Sequence, residues 1–390
     1  MYDIAVIGAG PAGSQVAYRL AGLGYRVVVL ERKERLEEPV CCTGIISQEC
    51  VSSFGIESNV IFRPASGARF FSPSGDELRL WRREPLACMV DRPALNVALA
   101  MRARIKGAEY MLDSLVRGLV WENDRIKIEV DHQGEGNRFE ARAAVIATGF
   151  GPKLVSGLTL GKVEDFVAGA QAEVETAIVE EIEVYLGRGT APAFFGWLVP
   201  TSPGRALVGL LSRRRPGFYL KKLISRLSEQ GKITSAEPEL SYGVIPLKPL
   251  PRTYADRLLV VGSAAGQVKP TTGGGIYYGL LCADIAADNL HRALADGDLS
   301  ARRLAGYEKE WQKKLGSELK TGYRSRKIYE LLSDKQIDRI FDIIVTYGIG
   351  EALMAADDLS FDWHGRAILK LMGHQAISRV LKAMKRPFSL

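Results

Sequence analysis

A glycine-rich hexapeptide near the start of the chain, GAGPAG at residues 8–13, constrains the fold more than any other segment. It follows a short apolar run rich in β-branched residues (2–8) and opens a stretch with Ala, Val and Leu at helical spacing (11–22). A second strand-like run, YRVVVLE, occupies residues 25–31. The order strand, turn, helix, strand predicts a βαβ unit with a right-handed crossover, and hence a parallel sheet.

The three glycines of this motif predict a dinucleotide site at the head of that sheet. Gly8 permits the tight turn, Gly10 lets the backbone approach a pyrophosphate at the helix N-terminus, and Gly13 lets the helix pack closely on the strand. Glu31 ends the second strand, where its carboxylate can accept hydrogen bonds from ribose hydroxyls. Because a carboxylate repels a 2′-phosphate, we expect FAD or NAD and not NADP.

Composition places the chain among globular proteins of the cell interior. The 390 residues are 47% hydrophobic, which is enough for the cores of two or more domains. The five cysteines form an odd set, and no signal-peptide pattern precedes the first strand, so we expect reduced thiols and a cytoplasmic location. No apolar stretch has the length of a transmembrane helix.

The net charge of +7 is concentrated in residues 301–390. The segment 366–385 has the pattern of a basic amphipathic helix, with Ile368, Leu371, Ile377 and Leu381 on one side. Its charges are carried by Arg366, Lys370, Arg379, Lys382, Lys385 and Arg386. Two interpretations stay open: the helix packs on the protein, or it gives peripheral contact with the inner face of an anionic membrane. We expect no nucleic-acid partner and no metal.

The hydrophobic pattern changes twice along the chain. Longer strands typical of an antiparallel sheet run from 165 to 211, and a buried strand at 257–261 then leads into a glycine-rich helix start. We therefore expect an α/β protein with a discontinuous cofactor domain (1–160 and 240–300), an antiparallel substrate domain (161–239, with part of 60–90), and a helical C-terminal region (301–390).

Downstream motifs add a resemblance to a known group of flavoproteins. The segment RLLVVGSAAGQVKPTTGGGI at 257–276, the pair Asp91-Arg92, and the strand that ends at Thr148-Gly149 resemble the group of the aromatic hydroxylases and geranylgeranyl reductases. That group binds FAD in an extended pose on a Rossmann-like domain. The second motif of that group usually has an Asp, which binds a ribityl hydroxyl, at the position of Ser263 in this chain. The resemblance implies that Ser263 can still make one such hydrogen bond, but without a negative charge.

Within that group the chain is most similar to the geranylgeranyl reductase family, over residues 1 to about 330. One place is the turn CCTGI at 41–45, and another is KPTTGGGI at 269–276. The third is PAFFGWLVP at 192–200, which is similar to the family's P-x-x-Y-x-W-x-F-P substrate motif, with Phe195 and Val199 replacing Tyr and Phe.

The resemblance implies an FAD-dependent oxidoreductase that reduces C=C bonds of an isoprenoid lipid or prenyl chain by hydride transfer from reduced flavin. It implies an external electron donor, either reduced nicotinamide or ferredoxin. It assigns Cys41 as the catalytic thiol and Phe195, Trp197 and Tyr278 to the substrate. The cofactor-binding positions that it implies are Gly8, Gly10, Ala12, Gly13, Glu31, Arg32, Cys42, Gly44, Arg92, Val116, Thr148, Gly149, Gly262, Ser263, Gly274, Gly275 and Ile276.

Some of these assignments have a plainer alternative. The aromatic strand at 194–199 contains no titrating group and suits a long hydrocarbon, but such a strand is equally typical of a core. Either Cys41 or Cys42 could donate a proton, or both could be small buried hydrophobic residues.

Other functions also stay open. A monooxygenase of the same fold would use the flavin to activate oxygen, and a flavin halogenase would carry a W-x-W-x-I-P strand, whose first Trp is Phe195 here. A non-catalytic flavin-bearing binding module is a third alternative.

Overall fold

A computed structural model describes residues 1–234, 237–357 and 359–382, and these divide into two compact units. Unit 1 contains Met1–Val40, Asp91–Phe166 and Ile245–Leu319, and unit 2 contains Cys41–Val90, Val167–Val244 and the segment from Lys320 onward. Among the helices of these residues, none has both the length and the apolar character required to cross a bilayer.

The strands are β1 (Tyr2–Ile7), β2 (Val27–Leu30), β3 (Ile45–Ser47), β4 (Ile61–Ala65), β5 (Gly67–Phe71), β6 (Glu77–Trp81), β7 (Ala87–Val90), β8 (Glu109–Met111), β9 (Ser114–Trp121), β10 (Ile126–His132), β11 (Glu135–Ile146), β12 (Phe166–Glu175), β13 (Ile182–Tyr185), β14 (Gly196–Pro200), β15 (Arg205–Ser212), β16 (Ser241–Pro246), β17 (Tyr254–Ala255) and β18 (Leu258–Val260). The α-helices are α1 (Pro11–Gly22), α2 (Gln48–Phe54), α3 (Arg92–Ile105), α4 (Pro152–Ser156), α5 (Pro216–Glu229), α6 (Ile276–Ala295), α7 (Ala301–Leu331), α8 (Asp334–Thr346), α9 (Ile349–Met354), α10 (Gly365–Gly373) and α11 (Gln375–Lys382).

Unit 1 is built on an eight-stranded sheet in the order β17-β18-β11-β1-β2-β8, with the hairpin β9–β10 joined to β11. Strand β1 pairs in parallel with both β2 and β11, so the predicted βαβ unit is confirmed. Helix α1 packs against α3 and α6. The four inner strand residues Ile4, Ala5, Val6 and Ile7 are at most 3% exposed, as expected where helices cover a parallel sheet.

Unit 2 is built on a seven-stranded sheet in the order β16-β12-β15-β14-β13-β5-β6, beside a three-stranded sheet in the order β3-β7-β4. One side of the larger sheet packs on α5. Its core residues on α5 are Leu220, Leu223, Ile224 and Leu227, which recur at helical spacing. The predicted strands between 165 and 211 correspond to β12, β13, β14 and β15.

Two segments differ from expectation. Residues 41–90 all lie in unit 2, whereas the sequence placed only part of 60–90 with the substrate domain and the rest with the cofactor domain. Their strands β5 and β6 extend the seven-stranded sheet. The single helix expected at 366–385 is two helices, because the chain leaves helical geometry at His374, which has extended φ and ψ of −65° and 127°. Lys385 of that predicted helix and the neighbouring Arg386 lie outside the described residues.

Candidate active site

The first glycine motif forms a turn that tolerates no side chain at two of its positions. Gly8 has a φ of +107°, and a Cβ added there would lie 2.5 Å from the carbonyl oxygen of Ala147. A Cβ added at Gly13 would lie 2.0 Å from the carbonyl oxygen of Gly8. Around Gly10, by contrast, no atom of the residues that the structure describes lies within 4 Å of an added Cβ, so this part of the chain leaves the backbone open to a ligand at the N-terminus of α1.

Glu31 lies directly after β2 and faces this turn. Its Oε2 accepts a hydrogen bond of 2.7 Å from the backbone N–H of Ala9, and its Oε1 accepts one of 3.1 Å from the N–H of Lys33. Each carboxylate oxygen has a second lone pair. The side chain therefore both fixes the turn and retains acceptor capacity for ribose hydroxyls.

The second glycine-rich segment joins the first within unit 1. Gly262 has a φ of +69°, and a Cβ added there would lie 3.0 Å from the Cβ of Ala12. Gly275 is the N-cap of α6 without a side-chain cap, and its added Cβ would lie 3.2 Å from the Ser263 Oγ. Two helix N-termini without side-chain caps thus present backbone N–H groups, which suits the pyrophosphate and the electron-rich edge of a reduced flavin.

A buried arginine supports the fit of a dinucleotide to this site. Arg92 is 9% exposed, and its Nη1 donates to the Asn96 Oδ1 at 3.3 Å. Its Nε is buried and has no hydrogen-bond partner among the residues that the structure describes. Because an unsatisfied buried donor is costly, an acceptor on a ligand is the natural partner of this atom.

The remaining predicted cofactor residues of unit 1 differ in exposure. Arg32 and Thr148 are exposed, whereas Val116 is 9% exposed and belongs to the core. Gly149 has a φ of +73° with nothing within 4 Å of an added Cβ. Tyr278 is 1% exposed and lies in the packing of α6, so its predicted contact with substrate stays a prediction.

In unit 2, five residues from five adjacent strands form one row across the seven-stranded sheet. Each is paired directly with the next, and directly paired residues share one side of a sheet. This Trp197 row consists of Phe70, Val184, Trp197, Gly209 and Gln171. It lies on the side opposite α5 and contains no ionisable group.

Gly209 gives the indole of Trp197 its place in the row. A Cβ added at Gly209 would lie 2.6 Å from the indole Cζ2 and 2.8 Å from its Nε1, so the ring covers the bare glycine backbone. The indole Nε1 is buried and has no partner among the described residues. The row therefore combines apolar side chains with two polar groups, the indole N–H of Trp197 and the side-chain amide of Gln171.

The cysteine turn at 41–44 contacts one end of this row. Thr43 Oγ1 donates to the Gln171 Oε1 at 3.4 Å. A Cβ added at Gly243 on β16 would lie 3.4 Å from the Cys41 Sγ, so this glycine makes room for the thiol. Gly44, with a φ of +73°, permits the turn into β3.

Burial sets the protonation state of Cys41. Removal of the thiol from water raises its pKa above the ordinary value, while a hydrogen bond with Ser241 acts in the opposite direction and the neighbouring Cys42 again raises the pKa. The group is therefore a thiol at neutral pH, the form that can give up a proton. Both Cys41 and Cys42 are half-buried and form no disulfide.

The aromatic residues of the 192–200 segment separate into two sets. Phe194 is 1% exposed and Val199 is fully buried, so these two are core. Phe195 and Trp197 are half-buried, with ring centroids 6.2 Å apart in an edge-to-face arrangement. The aromatic strand at 194–199 is therefore partly core, and of its two half-buried rings that of Trp197 also packs on the cluster of Met89, Ile182 and Val199.

The sequence did not point to Gln171, Gly209 and Gly243 as site residues. A lone glycine inside an apolar strand pattern marks a close approach of another group, so Gly209 within RALVGLLS carried a usable signal. Gln171 and Gly243 carried none, because their importance depends on strand register and on the distant cysteine turn.

Comparison with known proteins gives consistent relatives. The family model described as pyridine nucleotide-disulphide oxidoreductase matches residues 2–180. Digeranylgeranylglycerophospholipid reductase of Methanocaldococcus jannaschii is 30% identical, over 92% of this chain and 93% of that protein. Digeranylgeranylglycerophospholipid reductase 2 of Methanothermobacter thermautotrophicus is 33% identical, over 87% and 90% of the two chains. A geranylgeranyl bacteriochlorophyll reductase-like structure from Thermoplasma acidophilum superposes with a TM-score of 0.86, covering 98% of each chain at 24% identity.

Proposed function

The chain belongs to the digeranylgeranylglycerophospholipid reductase family, and from this premise we propose that the Trp197 row receives the prenyl chain of a membrane lipid whose C=C bonds the enzyme reduces. The protein is an FAD-dependent oxidoreductase acting on isoprenoid lipid. Neither the monooxygenase nor the halogenase alternative is favoured by these relatives, which are named reductases.

The apolar character of the Trp197 row is the observation that carries the proposal. Its half-buried members Phe70, Val184 and Trp197 offer hydrocarbon surface without a charge. Each methylene removed from water contributes about 0.8 kcal/mol, so a few isoprene units supply most of the affinity for a lipid chain. The indole N–H suits an oxygen of the lipid headgroup or linkage.

In unit 1, the turn at 8–13 and Glu31 would hold the adenosine end of FAD, and the Ser263–Gly275 segment would hold its isoalloxazine end. When bound and reduced, the flavin supplies a hydride to one alkene carbon. The other carbon must receive a proton, and we assign this step to the Cys41 thiol. Its S–H bond breaks as the new C–H bond forms, and the thiolate then regains a proton from solvent.

An external reductant must return two electrons for each double bond reduced. Reduced nicotinamide and ferredoxin are the two candidates, and the rate of flavin reduction with each distinguishes them.

We also propose that the lipid is reached through α10, which bears Arg366 and Lys370 and exposes 63% of Leu369. On α11, Ile377 and Val380 are at most 6% exposed, so these two pack within unit 2.

The test uses anaerobic protein reduced with dithionite. Digeranylgeranylglycerophospholipid in detergent should reoxidise the flavin, and mass spectrometry should find two hydrogen atoms added per double bond. Reoxidation by oxygen but not by the lipid would refute a prenyl reductase and favour the monooxygenase alternative. Reoxidation by neither would favour the binding module.

A further inference from the structure

The segment that leads into β14 contains a residue with unusual backbone geometry. Ala193 has a φ of +66°, in the left-handed region that residues other than Gly, Asn and Asp rarely adopt. Such a conformation persists only where surrounding contacts impose it. The contacts that impose it here come from the last turns of α7, within unit 2.

Two side chains of α7 hold two consecutive carbonyl groups of this segment. Arg326 donates from its Nη1 to the carbonyl oxygen of Ala193. Tyr329, three residues later and therefore on the same helix face, donates from its hydroxyl to the carbonyl oxygen of Phe194 at 3.0 Å. The guanidinium carbon of Arg326 also lies 4.1 Å from the centroid of the Phe194 ring.

The arginine is itself fixed by an ionic network. Its side chain is 2% exposed, and its Nη2 donates to the Glu330 Oε1 at 2.9 Å. The same carboxylate oxygen accepts a hydrogen bond of 2.8 Å from the Nε of Arg213, the residue that directly follows β15. The Glu330 and Arg213 side chains are 13% and 25% exposed, so the network is partly buried around the Arg326 guanidinium. Charge-assisted bonds are strong and directional, and here they orient that guanidinium.

This clamp, formed by Arg326 and Tyr329 on the two carbonyl groups, holds the turn that leads into β14, in which the N–H of Phe194 donates to the carbonyl oxygen of Ala191. The rings of Phe194 and Phe195 stack with their centroids 4.8 Å apart, so the ring that lies under Arg326 also supports the ring of Phe195. With the clamp in place Phe194 is buried beneath Arg326, while Phe195 lies beside Trp197.

We propose that Arg326 is a positioning residue that holds the turn before β14 and, through the ring of Phe194, presents Phe195 beside Trp197 to the prenyl chain. The inference rests on the proposed function, since it concerns the same lipid surface. Arg326 does not touch the reacting atoms, so its loss should change the affinity for the lipid and leave flavin chemistry unchanged.

The test compares Arg326→Met with Arg324→Met, which removes an exposed arginine from the same helix. With digeranylgeranylglycerophospholipid in detergent micelles and dithionite as reductant, Arg326→Met should raise KM about tenfold or more. FAD content and the rate of flavin reoxidation by oxygen should stay at the wild-type level. Arg324→Met should match the wild type in all three measurements.

A rescue distinguishes positioning from general destabilisation. Ala193→Gly removes the steric cost of the left-handed turn, because glycine adopts positive φ freely. In the Arg326→Met background, Ala193→Gly should therefore reverse a large part of the rise in KM. In the wild type, the same substitution should change KM less than twofold. If Arg326→Met does not fold, Tyr329→Phe takes its place, with an expected KM rise of about threefold.

The outcomes separate the two claims. If the wild type is active and Arg326→Met leaves KM unchanged, the positioning role alone is overturned. The same holds for Tyr329→Phe where Arg326→Met does not fold. A raised KM without rescue by Ala193→Gly also overturns it, because the turn is then not what Arg326 controls. A wild type that does not reduce the lipid overturns the proposed function, and the inference falls with it.

Discussion

Replacing Gly209 with Ala tests the Trp197 row by adding one methyl group beneath the indole. The new Cβ would lie 2.6 Å from Cζ2, about 1 Å inside the ordinary carbon contact distance. Overpacking of this size costs about 1–3 kcal/mol. Because Trp197 is half-buried, the ring can turn out of the row instead of unfolding the sheet.

The expected result is a fall in kcat/KM for the prenyl lipid of roughly 5- to 140-fold, which converts that cost at about 1.4 kcal/mol per factor of ten. FAD content should not change. Steady-state assays with dithionite-reduced enzyme measure the first quantity, and flavin absorbance measures the second. Gly136→Ala is the matched control, because this strand glycine has nothing within 4 Å of an added Cβ.

A double-mutant cycle with Trp197→Phe makes the prediction sharper. The phenyl ring is shorter than indole, so the methyl group at position 209 should cost less in the Trp197→Phe background, and the two changes should not be additive. Additive effects, or a Gly209→Ala enzyme within twofold of the wild type, would show that the indole is not held over Gly209 during lipid binding.

Three further predictions address the cofactor, the proton and the membrane. Gly10→Val should give colourless protein that still folds, because no described atom lies within 4 Å of an added Cβ, whereas a bound pyrophosphate would be obstructed. Its melting temperature should match that of wild-type protein stripped of FAD, since a bound ligand stabilises the folded state. Retention of full flavin content would contradict the cofactor placement. Cys41→Ala should lower kcat at least tenfold with FAD retained, whereas Cys42→Ala should not lower it to that extent. The reactive form of Cys41 is the protonated thiol, and burial raises its pKa. Wild-type kcat should therefore decline only at pH values above the ordinary thiol pKa of about 8.5. Replacing Arg366 and Lys370 together with Glu should weaken cosedimentation with anionic vesicles at moderate salt; wild-type protein that stays in the supernatant would exclude contact through α10.

The cofactor half of the site was largely predictable from sequence because its chemistry lies in backbone geometry. Positions such as Gly8 and Gly13 accept no Cβ, so a glycine pattern between a strand and a helix determines both fold and ligand. Helix α3 was similarly predictable, since Asp91 caps it by accepting from the N–H of Ala94, with Pro93 in its first turn.

The lipid half was less predictable because it depends on strand register. Nothing in the separate segments indicates that Val184, Trp197 and Gln171 lie in one row, since their pairing is fixed only when the sheet assembles. The clamp of Arg326 on Ala193 joins residues 133 positions apart. In a helical sequence with many charged residues, the sequence alone does not distinguish a buried arginine from an exposed one. Helix α5, by contrast, carries its apolar residues at a helical spacing that is readable in the sequence, although no helix was predicted there.

The interleaved order of the two units has a consequence for synthesis of the chain. Strand β1 is synthesised before its partner β11, whose pairing with β1 begins at Ala141. At about 5–20 residues per second, β11 follows β1 after a delay on the order of 10 s. The next strand outward, β18, is later still. During this interval the apolar edge of β1 lacks its neighbour while all of residues 41–90 are being produced. Translation speed and holdase chaperones should therefore affect the yield of active enzyme more than changes at its surface do.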